Sequence, residues 1–114
     1  MTTKIKLMPD YCCYPLWGID VDNIGNINPA TLPLSQDTIK RLEKWANIYD
    51  ATLNWNDPAS SGFPDDHSES IFEEEGISLW YQLREELYPD YAVYYLSDRH
   101  PILLTTPAEL NLYL

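Results

Sequence analysis

Apolar positions along this chain fall into two long stretches with helical spacing, separated by a loop and flanked by shorter segments that alternate or cluster. In residues 34–63, Ile39, Leu42, Ala46, Tyr49 and Leu53 recur at steps of three and four, which is one face of a helix. Lys40, Arg41, Glu43, Lys44 and Asn47 fall mostly on the opposite face. Ser35 is suited to cap this helix, because its hydroxyl can accept from an unpaired N–H of the first turn. Leu34 and Ile39 stand at the two positions of a hydrophobic staple, and Asp37 places negative charge where the helix dipole favours it. Asp57-Pro58 turns the chain away from helical geometry, so the helix is predicted to end near Asn54. The loop 56–66 follows, with Trp55 at its junction.

The second periodic stretch carries Phe72, Gly76, Leu79, Trp80, Leu83 and Leu87 on one face. Its predicted start is Asp66, where Asp66 and Glu69 have capping-box spacing; Ser70 and Glu73 offer a later register. Gly76 costs about 1 kcal/mol of helix propensity relative to alanine. Its place on the inner face predicts a close approach to the first helix, at Ala46. Pro89 stops the second helix.

Residues 4–8 alternate, with Ile5 and Leu7 on one side, and read as a half-buried first strand. Residues 11–17 are aromatic-rich and predict a second strand, confined by Pro15 to an edge or a bulge. Residues 18–28 have turn chemistry, with a further strand piece at 19–21 or 24–27. Residues 91–97 have the best strand composition in the chain and are apolar on both faces, which places them inside a sheet. Residues 102–104 suggest a short last strand and 107–110 a last helical turn. The predicted fold class is α+β: a two-layer sandwich in which two adjacent helices pack on a small, mostly antiparallel sheet, as a single domain over residues 1–114.

Composition narrows the function classes. The chain has 114 residues, with 18 acidic against 7 basic, a formal net charge of −11. Between residues 45 and 83 there are eight acids and no lysine or arginine. Nucleic acid is excluded as a partner for want of a basic footprint, and so is an anionic membrane surface. Such a field attracts a basic protein or a cation, although solubility alone also explains it. The N-terminal residues lack the apolar region of a signal peptide, no run spans a bilayer, and Cys12 and Cys13 are read as reduced thiols, so a cytoplasmic location is expected.

Catalytic chemistry finds little foothold. Asp65, Asp66, His67 and Glu69 could gather a metal ion, but their spacing matches no known coordination loop, and a solvated helix start explains them better. Cys12 or Cys13 could pair with His67 or His100 only by chance placement. Ser60-Ser61-Gly62 is no nucleophile elbow. No metal, cofactor or catalytic residue is assigned. The stronger reading is a recognition surface with Trp17 and Trp55 as anchors and carboxylates at Asp20, Asp22, Asp50, Asp57, Asp65, Asp66, Glu69, Glu73 and Glu74 around them. The plain alternative is that both tryptophans close the ends of the core.

Four blocks carry a family resemblance: KLMPDYCCYPLW at 6–17, NINPATLPLS at 26–35, LEKWANIYDATLNWNDPASSGF at 42–63, and EEEGISLWYQLREELYPDYAVYYLS at 73–97. Together they resemble small acidic bacterial proteins similar to the immunity proteins of contact-dependent growth inhibition systems. Cys12 and Tyr88 stand where that pattern leads one to expect glycine, and the tail from Asp98 matches nothing in it. The resemblance implies a non-enzymatic protein that binds a basic toxin domain one-to-one as a monomer; some such toxins are ribonucleases. Two rivals from other classes are an acidic housekeeping module for a basic endogenous protein and a small metal- or thiol-dependent enzyme.

Overall fold

The computed structural model describes residues 2–113. Five strands, β1 (Thr3–Leu7), β2 (Leu16–Gly18), β3 (Gly25–Ile27), β4 (Tyr91–Leu96) and β5 (Leu103–Leu104), form one sheet in the order β3-β2-β1-β4-β5. β1 and β4 are parallel and the other three pairs antiparallel. Two long helices, α1 (Gln36–Asp50) and α2 (Asp66–Leu87), pack on one face. The α+β class, the layer order and the mostly antiparallel sheet are as the sequence pattern predicts.

The register explains which face the helices cover. Leu16, Leu7, Tyr95 and Leu104 lie opposite one another across four strands, with Ile5 and Val93 in the next row. All six are buried in the core. Two expectations about the N-terminal strands are corrected. β2 is shorter than 11–17 and lies inside the sheet, because it begins after Pro15, whose carbonyl accepts from the Met8 N–H at 2.9 Å. A proline just before the strand removes no ladder donor. The further strand piece is the later of the two offered, at Gly25–Ile27, and a 3-10 turn at Val21–Asn23 precedes it. Cys12 has φ 60°, in the left-handed region that favours glycine, whereas Tyr88, with φ −70°, has a backbone any residue adopts.

Ser35 caps α1 as expected, accepting from the Thr38 N–H at 3.2 Å. The buried face of α1 is Thr38, Leu42, Trp45 and Tyr49: Leu42 and Tyr49 are buried as expected, whereas Ile39 and Ala46 are only partly covered and Leu53 lies beyond the helix. The helix also ends at Asp50, four residues before Asn54, and the Ala51 N–H closes it onto the Asn47 carbonyl at 3.0 Å. The rotation of the face has two causes. Trp45 offers far more apolar area than Ala46, and Thr38 is wanted inside by a carboxylate on the other helix.

That carboxylate is Glu86. It accepts from the Ser35 N–H at 2.6 Å, from Gln82 Nε2 at 2.7 Å, and from the Thr38 and Ser35 hydroxyls, so it ties the last turn of α2 to the first turn of α1. Burial opposes its ionisation, but these donors outweigh burial and hold its carboxyl below the usual range. A group with a lowered folded pKa adds stability above its unfolded pKa and loses it as pH falls through the folded value. Glu86→Gln is therefore expected to cost about 1–2 kcal/mol at pH 7, and the difference from the unmodified protein should shrink at pH 3. Urea midpoints at the two pH values measure this; an equal loss at both would mean that the charge plays no part.

α2 starts at Asp66, but its cap is Asp65, which accepts from the Ser68 N–H at 2.7 Å. The Asp66/Glu69 box is therefore not used, and Glu69 pairs instead with Arg99 at 3.2 Å. The expected inner face is buried at all six positions. Gly76 meets Trp45 and Tyr95 rather than Ala46: a Cβ there would lie 2.7 Å from Trp45 Cζ2 and 2.7 Å from the Tyr95 hydroxyl. Trp45 stacks on Phe72 with centroids 4.5 Å apart and donates its N–H to the Phe72 carbonyl at 3.0 Å. Beyond β4, β5 takes two of the three residues expected, and a 3-10 helix at Pro107–Tyr113 follows, with Leu110 against the core. Among the described residues no helix is long and apolar enough to cross a membrane.

Candidate functional site

Chain direction gathers three loops at one end of the sandwich. Because β1 and β4 are parallel, both finish at that end. α2 starts there, since Glu73 accepts from Tyr95 and Ser97 at the finish of β4, at 3.0 and 2.7 Å. α1 runs antiparallel to α2, with Ser35 beside Glu86, Arg41 beside Glu75 and Trp45 beside Phe72, so α1 finishes there. The segments 8–15, 51–65 and 97–102 thus become neighbours. Their contacts confirm it: the Cys12 N–H donates to Asp50 at 2.9 Å, Tyr11 stacks on Tyr49 at 4.5 Å, and the Tyr49 hydroxyl donates to Asp98 at 2.8 Å. Burial and then that carboxylate push the Tyr49 phenol far above its usual range, so it remains a donor.

Carboxylates crowd this end. Asp10, Asp50, Asp57, Asp65, Asp66, Glu69 and Asp98 belong to its loops, to the last turn of α1 or to the first turn of α2, against one cation among the described residues of those segments, Arg99. Asp10 and Asp98 are not in the sequence-predicted set. Nothing in their spacing signals them, since only the β1–β4 pairing brings positions so far apart in the chain to the same end.

The loop between the helices is built from its own hydrogen bonds. The Gly62 N–H donates to the Thr52 carbonyl at 3.0 Å, and the Asn54 N–H donates to Ser61 Oγ at 2.8 Å, closing its neck. Asn54 Oδ1 accepts from the N–H groups of Asn56 and Asp57, both at 3.1 Å, an Asx turn that fixes the tip. The Ser60 hydroxyl donates to Asp57 at 2.6 Å. Trp55 stands on this framework 76 % exposed, so it does not close an end of the core.

The eleven sequence-predicted residues divide by role. Asp22, Trp55, Asp57, Asp66 and Glu74 are exposed. Asp50, Asp65, Glu69 and Glu73 hold the acidic end together through the bonds above. Hydrogen bonds from Ser68 pull the Asp65 carboxyl below its usual range. Asp20 and Asp22 follow β2, away from this end, and Asp20 accepts from the Lys4 N–H at 2.7 Å. Trp17 lies on the sheet face that the helices do not cover. It stands opposite Lys6, which stands opposite Tyr94, and its N–H donates to the Met8 carbonyl at 3.1 Å. Sequence reasoning did not group Lys6 and Tyr94 with Trp17; only strand register could have done so.

Among the described residues the candidate thiols and metal ligands are not gathered into one site. Cys12 and Cys13 line a groove of about 600 Å³ beside α1 with Asn26, Asn47, Glu43 and Asp50, and no histidine lines it. Burial, then Asp10, Cys12 and Asp50, push the Cys13 thiol up, which opposes thiolate formation. Asp65 and Glu69, candidates for a metal, are engaged as helix cap and ion pair. Among the described residues no group of three histidine, cysteine or carboxylate side chains is placed to hold a metal ion. What this end presents to solvent is an exposed indole on an internally bonded loop, with carboxylates on the loops gathered there.

Comparison with known proteins agrees with a binding role. Residues 3–98 match the family described as Serratia CdiI immunity protein-like. No curated protein matches the chain.

Proposed function

The chain belongs to the Serratia CdiI immunity protein-like family, and we propose that it neutralises its cognate toxin domain through the acidic end of the sandwich. Members of this family are non-catalytic inhibitors of contact-dependent growth inhibition toxins, so the task is binding. In this reading the toxin domain is a basic nuclease, held one-to-one in the cytoplasm.

 A nuclease must bind a polyanion and is basic for that reason, and an acidic inhibitor competes for the same surface. The observation that carries this reading is the gathering of carboxylates from three loops at one end of the sandwich, where the internally braced loop 51–65 also carries the exposed Trp55. The indole supplies an anchor and the carboxylates supply steering.

The test uses the product of the gene directly upstream, which this reading expects to carry the toxin domain. Co-expression should yield a stable one-to-one complex. Asp57→Lys, Asp66→Lys and Glu74→Lys together leave the cap at Asp65 and the Glu69–Arg99 pair in place. This triple variant is expected to slow association about tenfold at low salt and to flatten its salt dependence. Association rates that match the unmodified protein at every salt concentration would remove the acidic end from the interface.

A further inference from the structure

We infer that the open face of the sheet, centred on the Trp17–Lys6–Tyr94 row, is the apolar centre of the toxin interface, with the acidic end as its charged rim. This rests on the toxin-binding reading above and adds a second surface to it. The three side chains are direct cross-strand neighbours on β2, β1 and β4, on the side away from α1 and α2. Ala92 and Leu96 continue the same face along β4, and Leu103, 41 % exposed, extends it onto β5. An antiparallel sheet that faces water on one side carries polar residues there as a rule. Here the strand positions are mostly apolar or aromatic, and none is acidic in a chain with 18 acids.

The only charges on these strand positions are Lys4 and Lys6. They decide the occupant. A second copy meeting this face symmetrically would set lysine against lysine, and two chains of net charge −11 repel at long range. A toxin domain is drawn to the acidic end by its own positive charge and meets the adjoining sheet face in the same encounter. The two surfaces are joined by the β1–β2 loop: Met8 holds the Trp17 indole at one side of it and Cys12 bonds Asp50 at the other. A carboxylate on the toxin opposite Lys6 completes the match. The indole is already fixed by its bond to Met8, so it loses little freedom on binding.

Kinetics with the purified toxin domain separate the two surfaces. Trp17→Ala is expected to raise the dissociation rate about 30-fold, as a central anchor does, and to leave the association rate and its salt dependence unchanged. Lys6→Glu, which removes no packed ring, should raise dissociation about tenfold and guards against a folding defect in the first variant; circular dichroism checks both. Dissociation within twofold of the unmodified protein for both variants would overturn the inference, and would leave the acidic-end reading standing if the triple lysine variant still slows association. Salt-insensitive association of that triple variant's parent would instead overturn the acidic-end reading alone. Dimers of the toxin-free protein that Trp17→Ala dissolves would also overturn the inference, because the face would then be a contact between copies.

Discussion

Trp80→Ala is expected to destabilise the protein by about 3–5 kcal/mol, a large share of the stability of a domain this size. The indole is fully buried and joins the layers at several points. It stacks on Tyr95 with centroids 5.5 Å apart, and its N–H donates to the Val93 carbonyl at 2.7 Å. Arg84 lies over its ring, 6.0 Å from the centroid. Alanine leaves a void that the rigid sheet and helix cannot close, and it strands a buried carbonyl. Trp80→Phe separates the two effects: it keeps most of the volume and loses the bond, so about 1–3 kcal/mol is expected. Equilibrium urea unfolding followed by circular dichroism measures both. A loss below 1 kcal/mol for the alanine variant would show that the layers do not depend on this contact.

Gly76→Val should be nearly as damaging, at about 3 kcal/mol. On propensity alone, a side chain at Gly76 improves the helix, by up to about 1 kcal/mol for alanine. Packing reverses the sign. The added Cβ would lie 2.7 Å from a ring carbon of Trp45, and that ring cannot retreat because it is stacked on Phe72 and bonded to its carbonyl. The other close atom, the Tyr95 hydroxyl, is held by Glu73. Gly76→Ala carries the same Cβ with less bulk and should still lose about 1 kcal/mol after its helical gain. An alanine variant more stable than the parent would mean that the two helices can move apart freely at this point.

The inner face of α2 was legible to the last residue because its apolar side chains keep strict helical spacing and nothing polar interrupts them. α1 was read one step off around its axis. Thr38 looks like a surface residue in sequence, and only Glu86 on the other helix makes it an inside one. Asp65 displaced Asp66 as the cap for a similar reason, since both carry the same side chain and the choice depends on the path of the loop. The placement of the candidate recognition residues was not legible. Sequence proximity put Trp17 among carboxylates, whereas strand register puts it beside Lys6 and Tyr94. Asp20, Asp50, Asp65 and Glu73 look like free charge in the sequence, yet each is drawn into a hydrogen bond that holds the fold. The resemblance that leads one to expect glycine at position 12 agrees with the backbone there, which adopts φ 60° with the Cys12 side chain.

The middle strand of the sheet has a further effect, on timing. β1 takes β4 as its parallel neighbour, pairing Thr3 with Tyr91 and Leu7 with Tyr95. A ribosome therefore has to release the chain through β4 before β1 finds its parallel neighbour, and a chain stalled short of residue 91 leaves that edge of β1 unpaired. Pairing over such a sequence distance is slow compared with forming a helix. In the proposed role, protection of the cell that makes this protein trails synthesis by the time that translation through β4 and collapse require.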